Sequence, residues 1–503
     1  ILAFCCVFGL AACSENDNDD GNENQGTVQT PADKNNGGES KPSDSSNDGD
    51  GNSQSGQDKL DESDDNNQPE QKPEEQTSKL RYELYKDVYW VMGIGECTDT
   101  DIVIPATYNG LPVDLVSQYA FKGCKSITSV KISEGITYIG TNAFKGCSSL
   151  VSVTIPKSVT FVGDDAFSGC TGLTGVYISD LSAWCQIDFG RSQATADETN
   201  PLYYAHNLYL NNELITELII PEDVTYIGSL AFTNCTSIKK ATAHDGVISI
   251  GKDSPFVWCT SIEEIKGPAI FCVTAKYYAK KITITSGEIK SSYSMGAFSG
   301  AVLETLIMED GVTKIGDSSF DGCSSLKEVI IGNGVTEIGR DAFWKCTSLT
   351  SITIPSNVRI IGSSAFSYCS SLEEVVVESG VEEVGNQAFF RCASLEKIKV
   401  GAAYIGGQAF DNCALKEIIL LDGVVEIGRD AFGSYSSAYV YIPETVKIIG
   451  YRSFISGVKN LYYGGKIEQW KDIEKPQHRD DSYDSFIVKR IIHCADGNFD
   501  DLC

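Results

Sequence analysis

The residues of this 503-residue chain best suited to acid–base chemistry at neutral pH are four histidines, His206, His244, His478 and His493. None of them has a carboxylate and a nucleophile at a spacing that a catalytic motif uses. His493 directly precedes Cys494, so in an extended segment the two side chains point apart and cannot act as a base and a nucleophile together. The sequence therefore predicts a protein that is not an enzyme and that needs no cofactor.

The cysteines recur at a regular spacing instead of in metal-binding pairs. No CxxC pair or histidine cluster accompanies them, which argues against a metal site. Equivalent positions on stacked repeats lie about 5 Å apart with parallel Cβ vectors, and that geometry suits buried free thiols better than disulfides. Cys494 and Cys503 lie outside this series and form the candidate disulfide. The recurring cysteines are Cys124, Cys147, Cys170, Cys323, Cys346, Cys369, Cys392 and Cys413.

The phenylalanines show the same period, which runs through most of the chain. Phe121, Phe144 and Phe167 are 23 residues apart. Self-similarity at this spacing indicates a solenoid, in which each unit buries its apolar face only by stacking on its neighbours. We expect about thirteen coils of 22–23 residues, centred on Phe121, Phe144, Phe167, Phe232, Phe256, Phe298, Phe320, Phe343, Phe366, Phe389, Phe410, Phe432 and Phe454.

Residues 139–159 show how the sequence of one coil predicts its structure. The segment Val153–Ile155 alternates apolar and polar side chains, which predicts a short strand with one side buried. Pro156 ends that strand because it has no N–H to donate. Before the strand, Thr141–Phe144 is predicted to form a turn and one turn of helix that carries its Ala–Phe pair inward. Each coil is then a short parallel strand, a helical turn and a return.

This pattern resembles the BspA-like leucine-rich repeats of bacterial surface antigens. The consensus IGxxAFxxCxSLxxVxIPxxV follows the chain over 120–460. The resemblance implies a curved rod with an N-terminal cap over 80–119, an irregular insert over 181–212 and a C-terminal cap over 461–503. It also implies a bacterial surface protein, but no catalytic residues and no particular ligand.

The N-terminal residues resemble a bacterial lipoprotein signal that begins before Ile1. Residues 1–12 are apolar and end in Leu10–Ala12 before Cys13, which is the position of the acylated residue. Residues 13–79 follow with 18 Asp and Glu, 5 Lys and almost no aliphatic residues, a composition that predicts a disordered tether. We therefore expect lipidation at Cys13 and a location at the bacterial cell surface, on the outer membrane if the host is Gram-negative. The lipid would be the protein's sole contact with the membrane.

The net charge of the chain argues against some classes of binding partner. The formal net charge is −29, and no basic stripe with interleaved aromatic residues is present. Both features argue against nucleic acid and against anionic lipid as partners. We expect a monomer that binds a protein on a host or neighbouring cell, or an extracellular glycan.

The candidate binding residues are the outward side chains of the strands. Leucine-rich solenoids generally bind with this face, which in the C-terminal half carries several apolar or aromatic groups. A strip of apolar side chains exposed to water often marks a contact site, although β-branched residues also simply suit strands. The candidate ligand-binding residues are Ile330, Val376, Ile419, Tyr441 and Tyr462.

Two classes of function fit these observations. The first is an adhesion or host-interaction module that presents a long repeat surface. The second is an accessory protein that captures glycans or nutrients on the same surface, and a passive structural spacer is a further alternative. An aromatic platform with Asp or Asn at one spot would favour glycan binding, whereas a mixed apolar strip would favour a protein partner.

Overall fold

The computed structural model describes residues 79–189, 196–290, 296–454, 456–475 and 491–500. The expected signal over residues 1–12, the expected lipidation site Cys13 and the expected tether up to residue 78 lie outside the described residues. His478 and Cys503 also lie outside them, so the candidate disulfide of Cys494 stays a prediction.

The described residues form a parallel β-solenoid of about fifteen turns, compared with the thirteen expected. One row of mostly three- to four-residue strands runs along the molecule, and we call its outer surface the strand face. Its strands are Asp101–Ile104, Ser129–Ile132, Ser152–Ile155, Gly175–Ile178, Leu208–Leu210, Glu217–Ile219, Lys240–Thr242, Glu264–Gly267, Lys281–Ile289, Thr305–Ile315, Glu328–Ile330, Ser351–Ile354, Glu374–Val377, Lys397–Val400, Glu417–Leu420, Ser434–Ile442, Ser456–Tyr463 and Ile491–Cys494.

A second row of shorter strands pairs along another side of the coils. Lys281–Ile289 and Thr305–Ile315 are long enough to contribute to both rows. The further strands of the second row are Val88–Gly93, Leu111–Val116, Tyr138–Ile139, Phe161–Val162, Asp188–Phe189, Tyr226–Ile227, Ser249–Ile250, Glu337–Ile338, Ile360–Ile361, Glu383–Val384, Tyr404–Ile405, Glu426–Ile427 and Ile448–Ile449.

The remaining elements lie at the ends and in the irregular parts of the solenoid. The extra coils beyond thirteen come from strands in these regions, such as Asp101–Ile104 in the expected N-terminal cap, which pairs with Ser129–Ile132. Antiparallel partners are Arg81–Tyr85, Thr107–Tyr108, Glu213–Leu214 and Gly497–Asp500. The helices are Leu181–Cys185, Leu202–Ala205, Ala269–Cys272 and Ile467–Lys471, with 3₁₀ turns at Ala196–Thr199 and Val273–Ala275.

The prediction of one turn of helix before each strand is wrong, although the prediction that its Ala–Phe pair points inward is confirmed. Ala143 and Phe144 are fully buried, but Asn142 has φ 57° and Gly146 has φ 76°. Left-handed residues at both places interrupt a helix. The Phe144 N–H consequently donates to Ala166 O of the next coil at 2.8 Å. This segment is therefore a third ladder between coils, and we call its outer surface the turn face.

The phenylalanines stack along the inside of the turn face. The rings of Phe343 and Phe366 are 5.0 Å apart and nearly parallel at 6°, and the neighbouring pairs repeat this arrangement. The stack is broken between Phe256 and Phe271, whose rings cross at 78°. There the helix Ala269–Cys272 replaces the usual turn. Since each ring contacts those of adjacent coils, this row ties successive coils together.

All eight recurring cysteines are unpaired, which confirms free thiols, and all except the half-buried Cys124 are buried. Each of the seven buried thiols donates to a backbone carbonyl of the preceding coil, a contact that the sequence did not reveal. Cys346 Sγ donates to Phe320 O of the preceding coil at 3.3 Å, and Cys369 Sγ does the same to Phe343 O at 3.2 Å. Cysteine is thus a small apolar residue that also donates a weak hydrogen bond between coils.

Candidate binding surface

The strand face is built by the alternation of side chains along each strand. In Glu374–Val377, Val375 and Val377 are fully buried, while Glu374 is exposed and Val376 is half-buried. Parallel pairing in register aligns Val376 with the corresponding residue of the next strand, Lys399. One outward position in each coil therefore forms a continuous line along the molecule.

All five predicted binding residues lie on this outward line. Ile330 is 48% exposed and Tyr441 is 38% exposed, whereas Val376, Ile419 and Tyr462 are half-buried. Their placement agrees with the sequence prediction. Whether they bind a ligand stays a prediction.

The five residues do not form one uninterrupted strip. Val376 lies between Thr353 and Lys399, two polar residues that are both exposed. Ile330 pairs with Ile307 in a separate apolar patch. The mixed apolar strip expected from the sequence is thus divided by polar side chains.

An unbroken run exists only at the C-terminal end of the predicted set. Ile419 pairs with Tyr441, and Tyr441 pairs with Tyr462. The two tyrosine rings are stacked with centroids 4.8 Å apart. The His493 ring stacks on Tyr462 at 4.9 Å, because the strand Ile491–Cys494 pairs with Ser456–Tyr463. We call Ile419, Tyr441, Tyr462 and His493 the C-terminal row.

His493 was missed by the sequence prediction because it lies 31 residues after Tyr462, outside the period of 22–23. The pattern Ile–Ile–His–Cys does match the apolar–outward–apolar alternation of a strand, with Ile492 fully buried. That alternation was the signal available in the sequence. The structure does not describe residues 476–490, which precede this strand. His493 is assigned to the outward line because its neighbour Ile492 pairs with Leu461.

A hollow of about 420 Å³ lies beside the C-terminal row. Tyr441, Tyr462 and His493 line one part of it, and Asp422 and Gly464 line another. Asp422 and Gly464 are exposed. The hollow thus combines aromatic rings, one carboxylate and accessible backbone, which are groups that can bind an apolar side chain with hydrogen bonds around it.

Stacking determines which parts of the rings a partner can reach. Rings 4.8–4.9 Å apart and nearly parallel cover each other's faces. Solvent therefore reaches mainly their edges and the tyrosine hydroxyls. A sugar stacks on an open ring face, whereas a protein side chain can pack against ring edges and bond to hydroxyls.

Charged residues of both signs lie around the C-terminal row, and an acidic one, Asp422, lines the hollow. Lys397 and Lys399 are exposed on the preceding strand. Lys459 lies over the Tyr439 ring, with its Nζ atom 5.0 Å from the centroid. Its hydrogen bond to Tyr439 raises the pKa of Lys459. The rim is polar and mixed in charge, as is usual around the apolar centre of a protein contact.

A second aromatic pair lies near the N-terminal end of the strand face. The Tyr177 and Tyr209 rings are stacked 4.6 Å apart. Both lean over Gly175, where a Cβ atom would be 3.0 Å from the Tyr177 ring. Tyr209 was missed because the irregular insert places it outside the period of the repeat. A Cβ atom at Gly175 would therefore push against both rings.

The other described histidines, His206 and His244, lie within hydrogen-bonding distance of backbone groups. His244 Nε2 is 2.9 Å from Pro221 O, and His244 Nδ1 is 3.1 Å from the Gly246 N–H. His206 Nδ1 is 3.2 Å from Asn234 O. Over the described ranges, no group of His, Cys, Asp and Glu could hold a metal ion. Among the helices that the structure describes, none is long and apolar enough to span a membrane.

Comparison with known proteins identifies the repeat. The BspA type leucine rich repeat region matches over 98–187, 205–293, 291–404 and 400–472, in six copies. These matches cover well over half of the chain. No curated protein sequence matches it.

Several solved structures are similar to this chain. A leucine-rich repeat protein from Bacteroides ovatus is 23% identical, with 79% of this chain and 88% of that chain covered and a TM-score of 0.34. A leucine rich cell surface protein from Faecalibacterium prausnitzii is 21% identical, with 80% and 97% covered and a TM-score of 0.25. The pneumococcal vaccine antigen PcpA is 16% identical, with 79% and 94% covered and a TM-score of 0.28.

Proposed function

We propose, from the premise that this chain belongs to the BspA-type leucine-rich repeat family, that it is an adhesion protein of the bacterial cell surface. The family is associated with surfaces and adhesion, and repeat proteins of this kind are generally non-catalytic. In this proposal the C-terminal row contacts a protein on a host cell or on a neighbouring bacterium.

The observation that carries the proposal is the contiguity of Ile419, Tyr441, Tyr462 and His493 on an outward line that is otherwise interrupted by polar residues. Tyrosines supply large, rigid contact areas and are enriched among the residues that dominate protein interfaces. The mixed charges around the row would set orientation and specificity more than affinity.

Capture of a glycan is the second candidate function. Asp422 lies in the same hollow as Tyr441 and Tyr462, and a carboxylate beside aromatic rings is a common arrangement for sugar hydroxyls. The mutual stacking of the rings weighs against it, because little ring face is left for a sugar. We therefore favour a protein partner.

Binding to arrays of extracellular-matrix proteins and of glycans distinguishes the two functions. The probe is the full chain carrying Cys13→Ser, which prevents acylation. Changing Ile419, Tyr441 and Tyr462 together to Ser should abolish binding to the protein spots while the unfolding temperature changes little. The matched control changes Lys131 and Thr154 to Ser. These residues occupy the same outward position in N-terminal coils, so this variant should bind normally.

Two outcomes would contradict this assignment. Retention of protein binding by the triple variant would move the site elsewhere, with the insert over 181–212 as the next region to test. Binding confined to glycan spots, and lost in Asp422→Asn, would establish the second function instead.

Anchoring through Cys13 is part of the proposal for location. It is supported by the apolar run that ends in Leu10–Ala12 and by the acidic composition of the residues that follow. Cys13→Ser should release the protein from membranes of the native host into the soluble fraction. Unchanged membrane retention of that variant would refute lipid anchoring.

A further inference from the structure

In most coils the turn face has one backbone position whose conformation favours glycine. It immediately precedes the recurring cysteine and has a left-handed conformation, with φ 76° at Gly146 and φ 70° at Gly322. In three successive coils the same position holds Lys345, Tyr368 and Arg391, with φ 57°, 62° and 58°. Large side chains are unfavourable in this conformation. Their presence in three consecutive coils indicates that the side chains themselves serve a purpose there.

These three residues combine with two neighbouring aromatic residues into one cluster. The Trp344 and Tyr368 rings meet edge to face at 5.9 Å, and Tyr368 and Phe390 do the same at 5.9 Å. Lys345 Nζ lies 3.8 Å from the centroid of Trp344. Arg391 Cζ lies 5.6 Å from the Tyr368 centroid and 5.3 Å from that of Phe390. We call these five residues the cation–aromatic ladder.

The two cations of the ladder are available to a partner. Lys345 and Arg391 are exposed, while the three rings are half-buried. Within the part of the chain that the structure describes, neither cation forms a salt bridge. Burial and the charge of Asp341 raise the pKa of the Asp321 carboxyl, and the nearby charge of Lys345 partly offsets this rise. The Asp341 carboxylate is paired with Arg340 at 3.1 Å. A pair of accessible cations therefore lies on a protein whose overall net charge is −29.

We propose that the cation–aromatic ladder is a docking site for an acidic peptide segment of a protein partner. A guanidinium that lies over aromatic rings keeps its N–H edge free, and this edge can bind a carboxylate with two parallel hydrogen bonds. The cations already cover ring faces, so a sugar could not stack there. The exposed edges of Trp344, Tyr368 and Phe390 are left to contact apolar side chains of the peptide.

This site is separate from the C-terminal row and does not depend on it. The ladder lies on the turn face, before the strand of each coil, whereas the row lies on the strand face. Two surfaces on one solenoid would allow a partner to be held at two points, or two partners to bind together.

The test uses a fluorescent random copolymer of glutamate and tyrosine as the probe, with heparin as the competing anionic polymer. The full chain carrying Cys13→Ser should bind the copolymer, and added salt should weaken binding. Lys345→Gly combined with Arg391→Gly should weaken it at least 10-fold. The unfolding temperature should stay the same or rise, since glycine suits both positions.

Asn412→Gly is the matched control. Asn412 occupies the equivalent left-handed position, with φ 59°, in the next coil and outside the ladder, so copolymer binding should not change. If the glycine double variant folds poorly, Lys345→Gln with Arg391→Gln removes the charges and keeps the side-chain length. Failure of the unmodified ladder to bind the copolymer, equal binding by the folded double variant, or tighter binding of heparin than of copolymer would each overturn the proposal.

Discussion

At the scale of single residues, glycine has two different roles in these coils. Gly362 lies against the preceding coil, where a Cβ atom would be 2.6 Å from Arg340 N. Gly322 has φ 70° and no atom within 4 Å of the Cβ position. The first glycine is required by close packing between coils, and the second by backbone conformation.

The two roles predict different losses of stability when the glycine is replaced by alanine. Gly362→Ala should destabilise the protein by about 3 kcal/mol, because backbone atoms must move to admit the methyl group. Gly322→Ala should cost about 1 kcal/mol, the penalty for a side chain in the left-handed region. Urea unfolding of both variants measures the difference. Equal losses would mean that the coils do not approach as closely at Gly362 as the structure indicates.

The buried thiols should make the fold sensitive to alkali. Burial raises the pKa of Cys369 and of Cys323 to about 12 from the ordinary value of 9.0. Between these values the unfolded chain loses the thiol proton and the folded chain keeps it. The stabilisation is therefore complete below pH 9 and is lost as pH rises toward 12.

Urea unfolding under reducing conditions at pH 8 and pH 10.5 checks this prediction. The free energy of unfolding should be lower at pH 10.5. Cys369→Ala removes one of the responsible groups, so its loss of stability over the same pH interval should be smaller than that of the unmodified chain. An unchanged pH dependence in that variant would assign the effect to other groups, such as the tyrosines.

At the scale of the coil, the phenylalanine stack contributes more to stability than the cysteine ladder. Phe343 contacts rings on both sides at 5.1 and 5.0 Å. Cys346 contributes one weak hydrogen bond to Phe320 O, and that carbonyl also accepts the Cys323 N–H at 3.2 Å. Removal of the Cys346 thiol thus leaves the Phe320 carbonyl with one hydrogen bond.

Phe343→Ala should cost about 3–5 kcal/mol through the cavity it leaves. Cys346→Ala should cost about 1 kcal/mol, the value of one modest hydrogen bond. Chemical denaturation of the two variants provides the comparison. A cysteine variant as unstable as the phenylalanine variant would show that the thiol row is a main determinant of stacking.

At the scale of the whole solenoid, stability should vary along the chain. Each coil contacts mainly its neighbours, so a weak junction lowers stability locally. The ring stack is continuous from Phe298 to Phe454, but Phe256 and Phe271 cross at 78°. The junction at the helix Ala269–Cys272 is the expected weak point.

Amide hydrogen exchange measured by mass spectrometry tests this expectation. Peptides from 264–289 should exchange faster than peptides from 343–366, which lie in the middle of the continuous stack. The strands in both regions are paired with neighbours, so a difference in exchange would reflect side-chain stacking. Uniform protection across both regions would show that backbone pairing alone controls local opening.

The sequence by itself determined the repeat, its inward residues and the outward line of the strands. A local pattern is sufficient for this, because alternation within a strand decides which side chains are buried. It also placed Ile419, Tyr441 and Tyr462 on the outward line, and the structure brings these three residues together.

Only the tertiary structure decided which outward residues are neighbours and which backbone shape the turns adopt. His493 joins Tyr462 through strand pairing across 31 residues, a distance that no fixed period predicts. The turns are left-handed at Asn142 and Gly146 because alternate N–H groups bond to the next coil, and that coil is absent from any local window of sequence. For the same reason the cation–aromatic ladder emerges only when three successive coils are stacked.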